Sequence, residues 1–326
     1  MAVRYIHDCD TGSDDAVAIF AALSHPELDP LAITTVNGNV AVENTTENTL
    51  RVLDHAGARI PVYAGATRPF VRPDFPVPRA VINRVGELHP KHLDFPAAVS
   101  RAEEQTAVSF LIDAYMDDAN ADVALVATGP LTNVALALAA EPRLAARIPR
   151  LVIMGGAHGN GNVTASAEFN FWVDPEAAES VLSAGIREVV IVTLDATHSA
   201  PLSGTDCDEL DRIGTPAARG AARLIRHRLA HDVAAAPDEQ GGGEVASPVH
   251  DPMTVACLVR PDLFIETVRA HASVETAGAR TLGELIVDTR PGRQEPPNAT
   301  VALRASGQVY RVFLRTAFGA GQPASG

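Results

Sequence analysis

The chain has 326 residues, 46% of them hydrophobic, enough for one large α/β core or two smaller ones. Its 26 basic against 40 acidic residues give a formal charge of −14, which argues against a nucleic-acid or anionic-membrane surface. Cys9, Cys207 and Cys257 have neither disulfide-framework nor metal-site spacing, and no signal-like leader or membrane-length apolar run is present, so a soluble cytoplasmic protein is expected.

An apolar run over 3–6 leads into a helix-like segment with Val17, Phe20 and Leu23 on one face, which reads as strand, turn, helix. Four carboxylates fall between them: Asp8, Asp10, Asp14 and Asp15. Gly12 suits the turn and Ser13 the N-cap, so Asp14 and Asp15 enter the first helical turn, where the helix dipole favours acids. That reading leaves Asp8 and Asp10 unexplained. Acids so concentrated at a strand end repel unless a cation or bound hydroxyls compensate them.

A second strand is predicted over 31–36, a helix over 42–55 closed by Gly57, and a strand over 60–63. From 68 to 96, Pro69, Pro73, Pro76, Pro78, Pro90 and Pro96 exclude long regular elements. Regularity returns with a helix over 103–116, a strand over 123–127 and a helix opened by Thr128-Gly129-Pro130-Leu131-Thr132-Asn133. A strand over 151–154 runs into a Gly/Asn-rich loop, Asp174-Pro175 starts a further helix, and a strand follows over 189–194.

A helix is expected over 216–231, a flexible loop over 237–248, a helix over 253–259, β-rich structure over 264–303 and a terminal helix over 309–316. Continuously apolar strands separated by helices indicate a mostly parallel central sheet flanked by helices, with ligands at the C-terminal strand ends. One domain over 1–318 is expected, with a disordered tail over 319–326.

The polar groups at those ends are oxygen-rich. Asp10, Asp15 and Asp251 with one backbone carbonyl suit Ca²⁺ better than Zn²⁺, which prefers His and Cys. Taken singly, each motif has a plainer reading: helix capping for Asp14-Asp15, a turn for Thr128-Gly129-Pro130, ordinary loop polars for Glu168 and Asn170, a helix-start residue for His250. His227 and His231 read as a solvated helix face, Asp195 and His198 as residues that orient neighbours, and Cys9 as core.

Together the motifs resemble the nucleoside hydrolases, the inosine-uridine-preferring family of N-ribohydrolases. The run Asp8-x-Asp10-Thr11-Gly12-x-Asp14-Asp15-Ala16 is similar to that family's N-terminal signature. Thr128 to Asn133, Met154-Gly155-Gly156 with Asn162 and Ala167-Glu168-Phe169-Asn170, and His250-Asp251-Pro252 follow in the family's order. The resemblance implies one Ca²⁺ held by Asp10, Asp15, Asp251 and the Thr128 carbonyl. It implies ribose held by Asp14, Asn39, Asn162, Glu168 and Asn170, and Ca²⁺-dependent cleavage of the N-glycosidic bond of ribonucleosides, as in nucleoside salvage. Asp10 would be the base for a metal-bound water and His250 the leaving-group acid. A homodimer or homotetramer is implied by analogy.

Two departures bear on the nucleobase. Residues 83–90 do not fit the family's glycine-rich loop, and 224–233 lacks its tyrosines. Two rivals remain: a haloacid-dehalogenase-like Mg²⁺ phosphatase using Asp8, for which Lys91 is the only lysine, and a non-catalytic calcium- or ribose-binding protein.

Overall fold

The computed structural model describes residues 2–77, 88–235, 244–292 and 295–320. Among these residues the central sheet has nine strands: β1 (Val3–Cys9), β2 (Leu28–Thr35), β3 (Val62–Ala64), β4 (Ala124–Ala127), β5 (Leu151–Met154), β6 (Val189–Val192), β9 (Phe264–Val274), β10 (Leu285–Asp288) and β11 (Ala299–Ala305). Their order is β10-β9-β11-β6-β5-β4-β1-β2-β3, with β7 (Leu202–Ser203) and β8 (Ala246–Ser247) forming a separate ribbon. From β3 to β11 every pairing is parallel, and β9 and β10 add antiparallel pairings at one edge.

The chain runs outward from β1 through β2 to β3, then returns to β4 on the other side of β1 and continues through β5 to β6. The β1–β4 boundary is therefore the topological switch point, where helices diverge to opposite faces and leave a crevice beyond the strand ends. The cluster of acids follows β1.

The apolar strand runs are explained by coverage on both faces. Along β6, Val190 and Val192 join one core while Val189 and Ile191 join the other. The first core packs under helices Ser13–Ser24, Pro252–Val259 and Gly307–Gly319; the second packs under Ala107–Met116, Thr132–Ala140 and Pro175–Leu182. Ile153 is fully buried, and burying such a side chain contributes about 1.5–3 kcal/mol.

Several boundaries differ from expectation. The helix predicted from 103 starts at Ala107, because the Thr106 side chain caps it by accepting from Ser109 N at 3.3 Å. Ser13 is the first helical residue rather than the cap; Asp15 Oδ2 reaches back to accept from Gly12 N at 2.9 Å. Gly57 does close helix Val42–Ala56, at φ 69°, a left-handed geometry that favours glycine. Asp174 caps helix Pro175–Leu182 by accepting from Ala177 N at 3.2 Å. Of the loop expected over 237–248, residues 237–243 lie outside the described residues and Ala246–Ser247 pairs as β8. Of the tail expected over 319–326, residues 321–326 lie outside them, and helix Gly307–Gly319 takes in Gly319. No helix among the described residues is long and apolar enough to cross a membrane.

Candidate active site

Parallel pairing carries β1 and β4 to the same edge. Thr128 N donates to Asp8 O at 2.8 Å, extending that ladder by one residue. Thr128 Oγ1 then donates to Asp15 Oδ1 at 2.7 Å across 113 residues of sequence. Asp15 also accepts from Gly12 N and from Asn39 Nδ2, so its orientation is set from three directions. Thr128 O accepts from Asn170 Nδ2 at 2.8 Å, and the same amide donates to Met154 O, tying the ends of β4 and β5 together.

Asp10, Asp14, Asp15 and Asp251 are all buried. One ligand oxygen each from Asp14, Asp15 and Asp251 lies within 4.8 Å of the others. Two unit charges 4 Å apart repel by about 4 kcal/mol even at an effective dielectric near 20, so the three cannot all ionise without compensation. Burial, reinforced by Asp14, pushes Asp15 up to about 7, and burial with the same acid neighbours holds Asp251 well above the carboxylate range. Burial and then Asp15 raise Asp10 as well. Asp10 Oδ2 accepts from Asn39 N at 2.6 Å, while Oδ1 is buried with no donor among the described residues. An all-oxygen donor set with an orphaned carboxylate oxygen fits a hard cation. Asp14 thus stands as near the other two acids as a metal ligand would, a position that the resemblance reserved for ribose.

Glu168 is buried and caps helix Phe169–Val173, accepting from Gly156 N, Asn170 N and Phe171 N at 2.9–3.2 Å. Burial lifts it to about 7 despite those donors. Asn162 Oδ1 accepts from Phe169 N at 3.0 Å, so Asn162 braces the same turn from its outer side. His250 is buried; its Nδ1 lies 2.7 Å from Thr197 Oγ1 and its Nε2 3.3 Å from Arg228 Nη2. Arginine only donates, so Nε2 is the acceptor, the ring proton sits on Nδ1, and proton donation from Nε2 is not available in this arrangement.

Asp195 accepts from His158 N and Gly159 N, and His198 packs on His250 at 5.6 Å between ring centroids. Cys9 is fully buried with its thiol directed at Thr34 O, a core residue as expected. Asp8 is fully buried inside the sheet, with Oδ1 accepting from both Thr34 Oγ1 and Asn133 Nδ2. A phosphatase nucleophile needs an open face for in-line attack, and Asp8 lacks one.

Three residues near the site carried no local signal. His89, from the proline-rich region, places Nδ1 3.3 Å from Ser13 N and 3.9 Å from Asp14 Oδ1. Tyr310 on the terminal helix donates to Val249 O at 3.0 Å and so holds the His250-Asp251 loop. Arg228 comes from helix Pro216–Ala235. Only the unusual length of the irregular region 68–96 hinted at function; of the departing segment 83–90, residues 83–87 lie outside the described residues.

Fold and site together define an α/β enzyme with a carboxylate-lined crevice able to hold a metal ion. The family model for inosine-uridine preferring nucleoside hydrolase matches residues 5–311. The pyrimidine-specific ribonucleoside hydrolase RihA of Escherichia coli O7:K1 is 40% identical over 311 residues, covering 95% of this chain and 96% of that one. A purine-preferring ribonucleoside hydrolase from Gardnerella vaginalis superposes with a TM-score of 0.85 at 29% identity, covering 97% of this chain and 98% of that one. A plant nucleoside hydrolase, PpNRh1, superposes with a TM-score of 0.85 at 27% identity, covering 98% and 100%. The chain belongs to the inosine-uridine preferring nucleoside hydrolase family and is a ribonucleoside N-glycosyl hydrolase.

Proposed function

We propose that this enzyme hydrolyses pyrimidine ribonucleosides in a calcium-dependent reaction, with Asp10 as general base. The observation that carries the reading is the buried set Asp10, Asp15 and Asp251 around the β1–β4 switch point, with Asp10 Oδ1 lacking any donor among the described residues. The preference for pyrimidines rests on the greater identity to the pyrimidine-specific relative than to the purine-preferring one, 40% against 29%.

Asp10, Asp15, Asp251 and Thr128 O would hold the ion. Calcium, when bound, supplies a Lewis acid that lowers the pKa of water and anchors hydroxyls. Asp14, Asn162, Glu168 and Asn170 orient the ribose, and the Asn39 backbone fixes which Asp10 oxygen faces the reaction. As the C1′–N bond lengthens, positive charge grows on the sugar, and the surrounding carboxylates and amide oxygens stabilise it. Asp10 Oδ1 takes a proton from the water that adds to C1′.

The test is ribose release from uridine, cytidine, inosine and their 2′-deoxy counterparts, before and after chelation and after calcium is restored. Uridine and cytidine should react fastest, deoxynucleosides poorly, and chelation should stop the reaction. Turnover that survives chelation would remove calcium from the mechanism, and faster cleavage of inosine would reverse the base preference.

A further inference from the structure

His250 cannot protonate a departing base through Nε2 while that nitrogen accepts from Arg228. The group beyond it is the guanidinium itself. Arg228 is held by two contacts: Nε donates to Asp232 Oδ2 at 3.0 Å and Oδ1 at 3.2 Å, and Nη2 donates to His250 Nε2. A guanidinium carries five N–H groups, so among the described residues these bonds leave both Nη1 protons and one on Nη2. The side chain is only 14% exposed and lines a small cavity with Ser13, Asp14 and Val249, directly beside the acid cluster.

We infer that Arg228 is the residue that receives the leaving group, its guanidinium pairing with a nucleobase that departs as an anion with a carbonyl oxygen next to the glycosidic nitrogen. The inference rests on the ribosidase reading above. Pyrimidin-2-ones such as uracil and cytosine have that arrangement. The C1′–N bond breaks with its electron pair passing to the ring nitrogen and, by delocalisation, to the adjacent carbonyl oxygen. Water forms the new bond to C1′ and gives one proton to Asp10. The base anion takes a proton from solvent after release, and Asp10 returns its own to solvent. A planar fork of donors in a largely dry site matches the negative charge that develops across N–C–O. The permanent charge also supplies what a neutral imidazole does not. Arginine placed only to neutralise the buried acids would instead support binding and stability without regard to what leaves.

The experiment compares uridine with 4-nitrophenyl β-D-ribofuranoside, whose phenolate leaves without assistance. For Arg228→Ala, kcat on uridine should fall about 100-fold or more, with the nitrophenyl riboside retained to within about threefold. Added guanidinium should restore part of the uridine rate. Arg228→Lys, which keeps the charge without the fork, should give a smaller loss confined to uridine, and it serves if the alanine variant does not fold. Equal losses on both substrates, or no loss on uridine, would overturn the inference while leaving the ribosidase reading intact. Wild-type enzyme inactive on both substrates would overturn that reading and the inference with it.

Discussion

Asn39 N donates to Asp10 Oδ2 at 2.6 Å, while Asp10 Oδ1 is buried and has no donor among the described residues. A carboxylate so divided is fixed at one oxygen and open at the other. Replacing it with the isosteric amide in Asp10→Asn should lower kcat by on the order of 10²–10⁴-fold, the usual contribution of a positioned general base. Thermal stability should hold or rise, because an uncompensated buried acid is removed. Activity within a few-fold of wild type would eliminate Asp10 as the base.

Calcium binding should depend on pH. Asp15 is raised to about 7 by burial and then Asp14, and Asp10 and Asp251 are raised as well. A cation needs these groups ionised, so protons compete with it and are released when it binds. Affinity should therefore weaken as pH falls through about 7. Calorimetric titration with calcium in buffers of different ionisation enthalpy reads both effects, and the melting temperature should climb with calcium concentration. Affinity unchanged between about pH 5.5 and 7.5 would contradict the assignment of these carboxylates as ligands.

Gly38 lies against Asp10 so closely that a Cβ built there would meet Asp10 Oδ2 at 2.0 Å. Its backbone is not left-handed, so the constraint is contact with the acid. Gly38→Ala should displace the Asp10 carboxylate and cost about 100-fold in kcat/KM, the scale of an ångström-level misplacement. Steady-state kinetics beside a circular dichroism spectrum distinguish this from unfolding, and near-wild-type kinetics would show that Asp10 tolerates the shift.

Asp174 makes a stability prediction away from the chemistry. Its carboxylate caps helix Pro175–Leu182 and also accepts from Thr132 Oγ1 and from Phe70 N at 2.7 Å. Loss of an N-cap costs about 1 kcal/mol, and each buried donor left unpaired about 1–3 kcal/mol. Asp174→Ala should therefore lose about 3 kcal/mol in urea unfolding, and Asp174→Asn, which can still accept, visibly less. A loss below about 1 kcal/mol would mean water replaces the carboxylate at these donors.

Much of the architecture was legible because it is local. Apolar runs over 151–154 and 189–192 are strands buried on both faces, and Asp174-Pro175 announces a helix start by capping chemistry. Misplaced boundaries came from caps that compete nearby, such as Thr106, which delays its helix, and Asp15, whose carboxylate reaches back to Gly12 N so that Gly12 rather than Ser13 stands at the N-cap. His89 was illegible because its segment follows no period, and its place against Ser13 depends on a contact spanning 76 residues.

The sequence by itself determined that four acids would crowd the end of a buried strand, since strand, turn and helix are each specified by neighbours a few residues apart. Tertiary structure decided what those acids face. Strand order is a matter of long-range pairing, and only the placement of β4 beside β1 brings Thr128 onto Asp15. In the same way Arg228, 22 residues before His250 in the chain, reaches its imidazole only because helix Pro216–Ala235 packs against helix Ser13–Ser24, a contact with no local signature.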